Sequence, residues 1–199
     1  NTLFGYGAWN WLLARHPAAS VTPMALLVPV FGMGSSALML GEPLPGWKLV
    51  LCGGSAAPNP YLDRIRAMLD AQPGLPVELR VNVSLAQLKR EYARAAIFWH
   101  FCGLGRSNPA EVEHFGMSTV EAMQNGCLPI VFDGGGQREV VEDGVSGFRF
   151  ASTAQLLERT RQAGADPDLR RRIGAQARCR GQEFRRAVFS ARVRELFRG

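Results

Sequence analysis

Lysine is nearly missing from this chain. Of its 23 Lys and Arg residues only Lys48 and Lys89 are lysine, so the formal net charge of +6 is carried almost wholly by arginine. Any Cys-x-x-Cys spacing is missing as well. Cys52, Cys102, Cys127 and Cys179 stand far apart, which excludes the short metal and redox motifs and leaves reduced, packed thiols as the expectation. No cleavable signal pattern opens the sequence, and together with reduced thiols this fits the cytoplasm or the cytoplasmic face of a membrane. Aromatic side chains do not interleave with the arginines in a nucleic-acid-binding pattern, so nucleic acid is not expected as a partner. Finally, no charged side chain occurs between Pro17 and Gly41.

The last absence divides the sequence. NTLFGYGAWNWLLA is apolar up to Arg15, and the uncharged run VTPMALLVPVFGMGSSALML follows; by length and polarity this is a candidate membrane-spanning segment. Within it Gly32-Met33-Gly34-Ser35-Ser36-Ala37 matches a dinucleotide fingerprint, but Pro29 spoils a central strand and no acidic residue follows about twenty positions later. Small residues packing helices in a membrane explain it better.

From Trp47 onward the pattern changes to a regular α/β alternation. Lys48 to Cys52 reads as a strand, Pro60 to Ala71 as a helix, and Val77 to Val83 as the next strand. Ser84 and Gln87 then form a capping box for a helix burying Leu85, Leu88 and Tyr92. Ala96 to Phe101 is a strand ending near His100, and the loop CGLGRSNPAEVEHFG after it is long, as ligand-binding loops at the carboxyl ends of parallel strands are. Ser152 with Gln155 starts a further helix, and Asp166 with Pro167 starts a last helical region running to about Phe197. Such an order implies right-handed crossovers and a Rossmann-like, doubly wound parallel sheet. The arginines at 170 to 172 and from Arg178 to Arg186 fall in the last region, where they serve as a solvated face or as a contact for an acidic membrane surface or phosphorylated acceptor.

The most informative stretch is EHFGMSTVEAMQNGCLPIVFDGGGQREVV, Glu113 to Val141. Ser118 and Glu121 have the spacing of a capping box, Val120 and Met123 lead an apolar helix side, and Gly126 is placed to end the helix. Leu128 to Phe132 is a short uncharged run suited to a buried parallel strand, and Gly134-Gly135-Gly136 bends the chain into a second helical start at Gln137. The helix start at 118 and the glycine turn both offer free N–H groups, and a helix N-terminus carries about half a positive charge, so phosphate is favoured there.

Glu113 and Glu121 in E-x7-E spacing, then Ala122-Met123, Gly126, Pro129-Ile130-Val131, Gly135-Gly136, Glu139-Val140-Val141, Asp143-Gly144 and Gly147-Phe148, resemble the donor-binding half of retaining glycosyltransferases of family 4, which have the GT-B fold. The resemblance implies transfer of a sugar from a UDP- or GDP-linked donor to an acceptor hydroxyl that the sequence does not name, with no cofactor and no metal. It implies that Glu113 contacts the donor sugar near its reacting carbon and that Glu121 accepts the ribose hydroxyls. The N–H groups of Phe115, Gly116, Met117 and Ser118 would meet sugar or phosphate, Asn82 and Val83 the base edge, and Gly135, Gly136 and Gln137 the sugar pocket. Plainer alternatives stand beside these: an exposed loop acid for Glu113, a helix cap for Glu121, hydrogen bonding or packing for His100 and His114, and tight packing for the glycines.

A GT-B enzyme has two Rossmann-like domains, so about half an enzyme is expected at 199 residues. GYGAWNWLLARHPAASVTPMALLVPVFGMGSSALMLGEPLPGWKLV resembles instead the end of EamA-like drug/metabolite transporters. The expected division is thus a transporter-like segment over 1–46 and the donor-binding domain over 47–199, as a natural fusion, a truncation product or a join made in assembling the sequence. The family's diphosphate-binding arginine and lysine belong upstream of Trp47, where the transporter-like text stands. Loss of both would weaken leaving-group stabilisation. The rival expectation is a membrane-anchored or transporter-derived fragment without activity.

Overall fold

The structure, a computed structural model, describes residues 46–54, 59–106 and 108–197. The apolar segment and the Gly32 to Ala37 motif lie outside the described residues. Among the described residues no helix is long and apolar enough to cross a membrane. The chain divides into two compact units, one ending at Lys89 and one starting at Arg90.

In the first unit β1 (Leu49–Gly53) pairs in parallel with β2 (Val77–Val81), from Leu49 opposite Val77 to Gly53 opposite Val81. Helix α1 (Pro60–Asp70) lies between them in sequence. Asn59 caps it, its Oδ1 accepting from the Tyr61 and Leu62 N–H groups, and Pro60 supplies a preset φ where no donor is needed. After β2 the chain turns through Asn82, at φ 57, whose N–H donates to the Gly53 carbonyl at 2.8 Å. β2 therefore stops before Val83, two residues earlier than the sequence suggests. The Ser84–Gln87 box is present in both directions: the Gln87 N–H donates to Ser84 Oγ and the Ser84 N–H to Gln87 Oε1. It starts α2 (Leu85–Arg94), which buries Tyr92. Leu85, expected inside, is 62% exposed, because it occupies the first turn.

The second unit holds three parallel strands in the order β3 (Ile97–His100), β4 (Leu128–Phe132), β5 (Phe148–Phe150). Strand β4 is central, with Ile130 opposite both Trp99 and Phe148. A strand flanked on both sides reads as a continuous apolar run, and Leu128 through Val131 are buried. Helix α3 (Met117–Gln124) precedes β4, the short α4 (Gln137–Val140) follows it, and α5 (Thr153–Ala165) follows β5. The expected single doubly wound sheet is thus found as parallel strands in two hydrogen-bonded sheets.

Helix α6 (Pro167–Gln182) lies against α3, brought close by small residues on one side. A Cβ on Gly174 would stand 2.5 Å from the Gly126 carbonyl oxygen, and one on Gly181 would meet Gln124 at 3.0 Å. Across the seam Arg178 donates to the Asn125 carbonyl and Gln124 to that of Gly181. The last helical region consists of two helices, because the chain turns after Gln182 and Arg185 is extended, with ψ 148, before α7 (Arg186–Leu196). The break lets Phe184 turn onto the ring of Phe115 at 5.7 Å, edge to face.

Candidate functional site

The site lies where β3 and β4 release the chain at their carboxyl ends, as expected for an α/β sheet. β3 ends on His100, and the loop beyond it runs to α3; β4 ends on Phe132, and the glycine turn follows. The two loops touch through backbone. The Gly136 N–H donates to the Glu113 carbonyl at 2.8 Å. A Cβ on Gly135 would stand 2.1 Å from that same oxygen, and one on Gly136 would stand 2.2 Å from the His114 carbonyl oxygen. No side chain fits either position, so both glycines serve the close approach of one loop to the other. This favours the packing reading of Gly135 and Gly136 over direct lining of a pocket.

Glu113 is held at both carboxylate oxygens. Oε1 accepts from the Phe115 N–H at 3.1 Å and the Gly116 N–H at 3.0 Å, and Oε2 stands 3.3 Å from His100 Nε2. Burial alone would raise its pKa. The His100 hydrogen bond and charge, with the two amides, outweigh that and bring it down to about 2, so Glu113 is an anion at neutral pH. It is therefore no freely exposed loop acid: its side chain is 26% exposed. Nearby Cys102 has its thiol raised, first by burial and then by the Glu113 charge.

These contacts correct two readings. The Phe115 and Gly116 amides, expected to face a ligand, are engaged by the protein's own carboxylate. Nor does Ser118 cap α3, because the N-cap lies two residues earlier, at Gly116, whose φ of 95 suits glycine, and the helix starts at Met117. Ser118 and Glu121 are then both inside the helix, and no capping box forms. The Glu121 carboxylate is exposed and makes no hydrogen bond or ion pair among the described residues, while its backbone carbonyl accepts from Asn125 Nδ2 at 2.8 Å. The first intrahelical bond of α3 runs from the Val120 N–H to Gly116, which leaves the Met117, Ser118 and Thr119 amides without helical acceptors. Met117 is half exposed and Ser118 partly buried.

Gln137, expected to line a sugar pocket, is instead fully buried. Its Nε2 donates to Thr119 Oγ1 at 3.0 Å, and its carboxamide fills the space where a Gly116 Cβ would go. It therefore ties the glycine turn to the first turn of α3 from beneath. Asn82 and Val83 belong to the first unit, at the end of β2. The engagement of Glu113 by His100 was missed in the sequence. Its signal is a histidine closing the strand that feeds the long loop.

The profile of the family described as Glycosyl transferases group 1 matches residues 37–180. The chain belongs to this family. Its fold is similar to that of Anabaena HepE in complex with UDP-glucose, with a TM-score of 0.68 and 18% identity over 88% of this chain and 46% of that one. At that identity the likeness is one of fold. A GDP-Man:Man(3)GlcNAc(2)-PP-Dol alpha-1,2-mannosyltransferase of Xenopus tropicalis is 32% identical over 93 residues, 46% of this chain and 17% of that protein. A probable amino-acid metabolite efflux pump of Salmonella typhimurium is 50% identical over 48 residues, 24% of this chain and 16% of the pump. The chain thus spans about half the length of the solved relative and under a fifth of the two curated ones.

Proposed function

We propose that this group 1 glycosyl transferase chain is the donor-binding half of a retaining enzyme of the family 4 kind, taking a UDP- or GDP-linked sugar and passing the sugar to an acceptor hydroxyl. The observation that carries the reading is the state of Glu113: an anion fixed by two amides and His100 at the mouth of a parallel sheet. A carboxylate is an acceptor only, so its partner must donate. Sugar hydroxyls donate, whereas phosphate oxygens at neutral pH do not and are repelled. Glu113 is therefore assigned to the sugar, and the diphosphate to the Met117 and Ser118 amides, where the α3 dipole favours negative charge. Glu121, exposed and without an ion pair among the described residues, is assigned to the ribose hydroxyls. Gly135, Gly136 and Gln137 support the sugar subsite by holding the Glu113 loop and the start of α3 in place. The donor is a substrate, and no cofactor or metal enters the scheme.

Residues 1–46 are proposed as a separate transporter-like segment that anchors the 47–199 domain at the cytoplasmic face of a membrane. The short match to an efflux pump favours this second element. Carbonate washing of membranes tests it: chain released without detergent overturns the anchor.

Calorimetry of the folded chain with UDP, GDP, UDP-glucose and GDP-mannose tests the donor reading. Binding of one nucleotide series, weakened by Glu121→Gln, is the expected result. No heat from any of the four overturns it.

A further inference from the structure

His100 is the last residue of β3, where strand geometry fixes its backbone. Its imidazole is 14% exposed and leans on the Phe98 ring, with centroids 6.3 Å apart. Nδ1 is buried and has no hydrogen-bond partner among the described residues. The polar contact the ring makes is therefore from Nε2 to Glu113 Oε2, at 3.3 Å.

The lone pairs of Glu113 set what that contact does. An ionised carboxylate offers about four acceptor positions, two on each oxygen. Oε1 has both filled, by the Phe115 and Gly116 amides. Oε2 has one filled by His100, which leaves one open among the described residues. We propose that His100 is a positioning residue: by occupying one side of Glu113 Oε2 it aims the remaining lone pair at a single hydroxyl of the donor sugar. The proposal rests on the reading of Glu113 as the sugar contact.

The surroundings support this assignment. Burial and the neighbouring carboxylate raise the Cys102 thiol, which favours its neutral form and keeps a second negative charge from forming beside Glu113. The hydrogen bond and charge of His100 are the largest influences favouring the anion, ahead of the two amides. Without His100 the Oε2 side of the carboxylate loses its anchor and its rotation is restrained through Oε1 alone.

Two measurements on the full chain test the inference, using His100→Ala and His100→Gln; glutamine keeps an N–H donor near the Nε2 position. In calorimetry His100→Ala should weaken binding of the preferred sugar nucleotide, UDP-glucose or GDP-mannose, by about tenfold and leave the matching free nucleotide unchanged, with His100→Gln restoring most of the loss. A purely structural role would weaken nucleotide and sugar nucleotide alike, and that result, or no change in either, overturns the proposal. The second measurement needs no donor. In protein labelled with 13C at glutamate carboxyls, with the Glu113 signal assigned by Glu113→Gln, His100→Ala should raise the Glu113 midpoint by about one unit or more, and His100→Gln by less. An unmoved midpoint overturns the role of His100. If the wild-type chain binds no sugar nucleotide while the midpoint moves as expected, the donor reading fails and the positioning of Glu113 stands.

Discussion

Gly136→Ala isolates the contact on which the site is built. Gly136 has φ −67, so alanine meets no conformational penalty there. Its Cβ would, however, stand 2.2 Å from the His114 carbonyl oxygen, 2.6 Å from the carbonyl carbon and 2.7 Å from the Phe115 Cα. All three are backbone atoms, so no flexible side chain can swing away. The Glu113 to Phe115 loop must move by about 1 Å to reach ordinary contact, a form of overpacking that costs about 1 to 3 kcal/mol. The same movement breaks the 2.8 Å hydrogen bond from Gly136 N–H to Glu113 O, worth about another 1 kcal/mol. The sum, about 2 to 4 kcal/mol, should lower the urea midpoint of the second unit by about 1 to 2 M. Gly144→Ala is the control. There φ is 74 but nothing lies within 4 Å of a Cβ, so only backbone strain of about 1 kcal/mol is expected. Urea unfolding of both variants, followed by circular dichroism, compares them directly. If Gly136→Ala costs no more than Gly144→Ala, the two loops are not locked by backbone contact and the account of the glycine turn is wrong.

Three further outcomes follow from the same geometry. The pKa of Glu113 is depressed from 4.5 to about 2, so the stability it contributes is present above about pH 4.5 and lost as pH falls toward 2. Glu113→Gln should flatten the stability profile in that window, and an unchanged acid slope would count against the His100 and amide contacts. Ser84→Ala should cost the first unit about 1 kcal/mol in denaturant unfolding, because its hydroxyl accepts the Gln87 N–H, whereas Ser118→Ala should cost the second unit almost nothing. Equal losses would show that α3 is capped by Ser118 after all. In thiol labelling near neutral pH, Cys179, which is exposed, should react first, while Cys127, buried and raised to about 11, should stay protected until the second unit unfolds.

What could be read from the sequence was local. Leu128 to Phe132 was legible as a buried strand to the residue, since a central parallel strand must be apolar on both faces. The Ser84–Gln87 box was legible because both partners and the chain reversal lie within four residues. At Ser118 and Glu121 the same spacing misled. The start of α3 is decided from outside the helix, by the left-handed Gly116 resting on Gln137 and by the Glu113 carboxylate drawing in the Phe115 and Gly116 amides. The break between α6 and α7 was hidden for a similar reason: Phe184 leaves the helix to meet Phe115, a partner far away in sequence. Leu85 was placed inside by its apolar side chain alone, yet a first-turn position can point outward without disturbing the rest of the helix. The E-x7-E pair was visible, but the division of labour within it was not. One carboxylate is held at both oxygens by protein donors, with one acceptor position of Oε2 still open, and the other carboxylate is exposed; this depends on His100, thirteen residues before Glu113.

That asymmetry constrains how a sugar nucleotide can enter. For a diphosphate to take the Phe115 and Gly116 amides it must displace Glu113, leaving a largely buried carboxylate facing an incoming anion. An unpaired buried charge of this kind is costly enough to redirect the ligand. The amides of Met117 and Ser118 impose no such exchange and lie on the positive end of α3. A competition experiment follows. Inorganic pyrophosphate should displace the free nucleotide from the wild-type chain and from Glu113→Gln with similar affinity. If Glu113→Gln instead binds pyrophosphate about tenfold tighter, the phosphates and the carboxylate share one set of donors, and Glu113 belongs to the phosphate subsite rather than the sugar subsite.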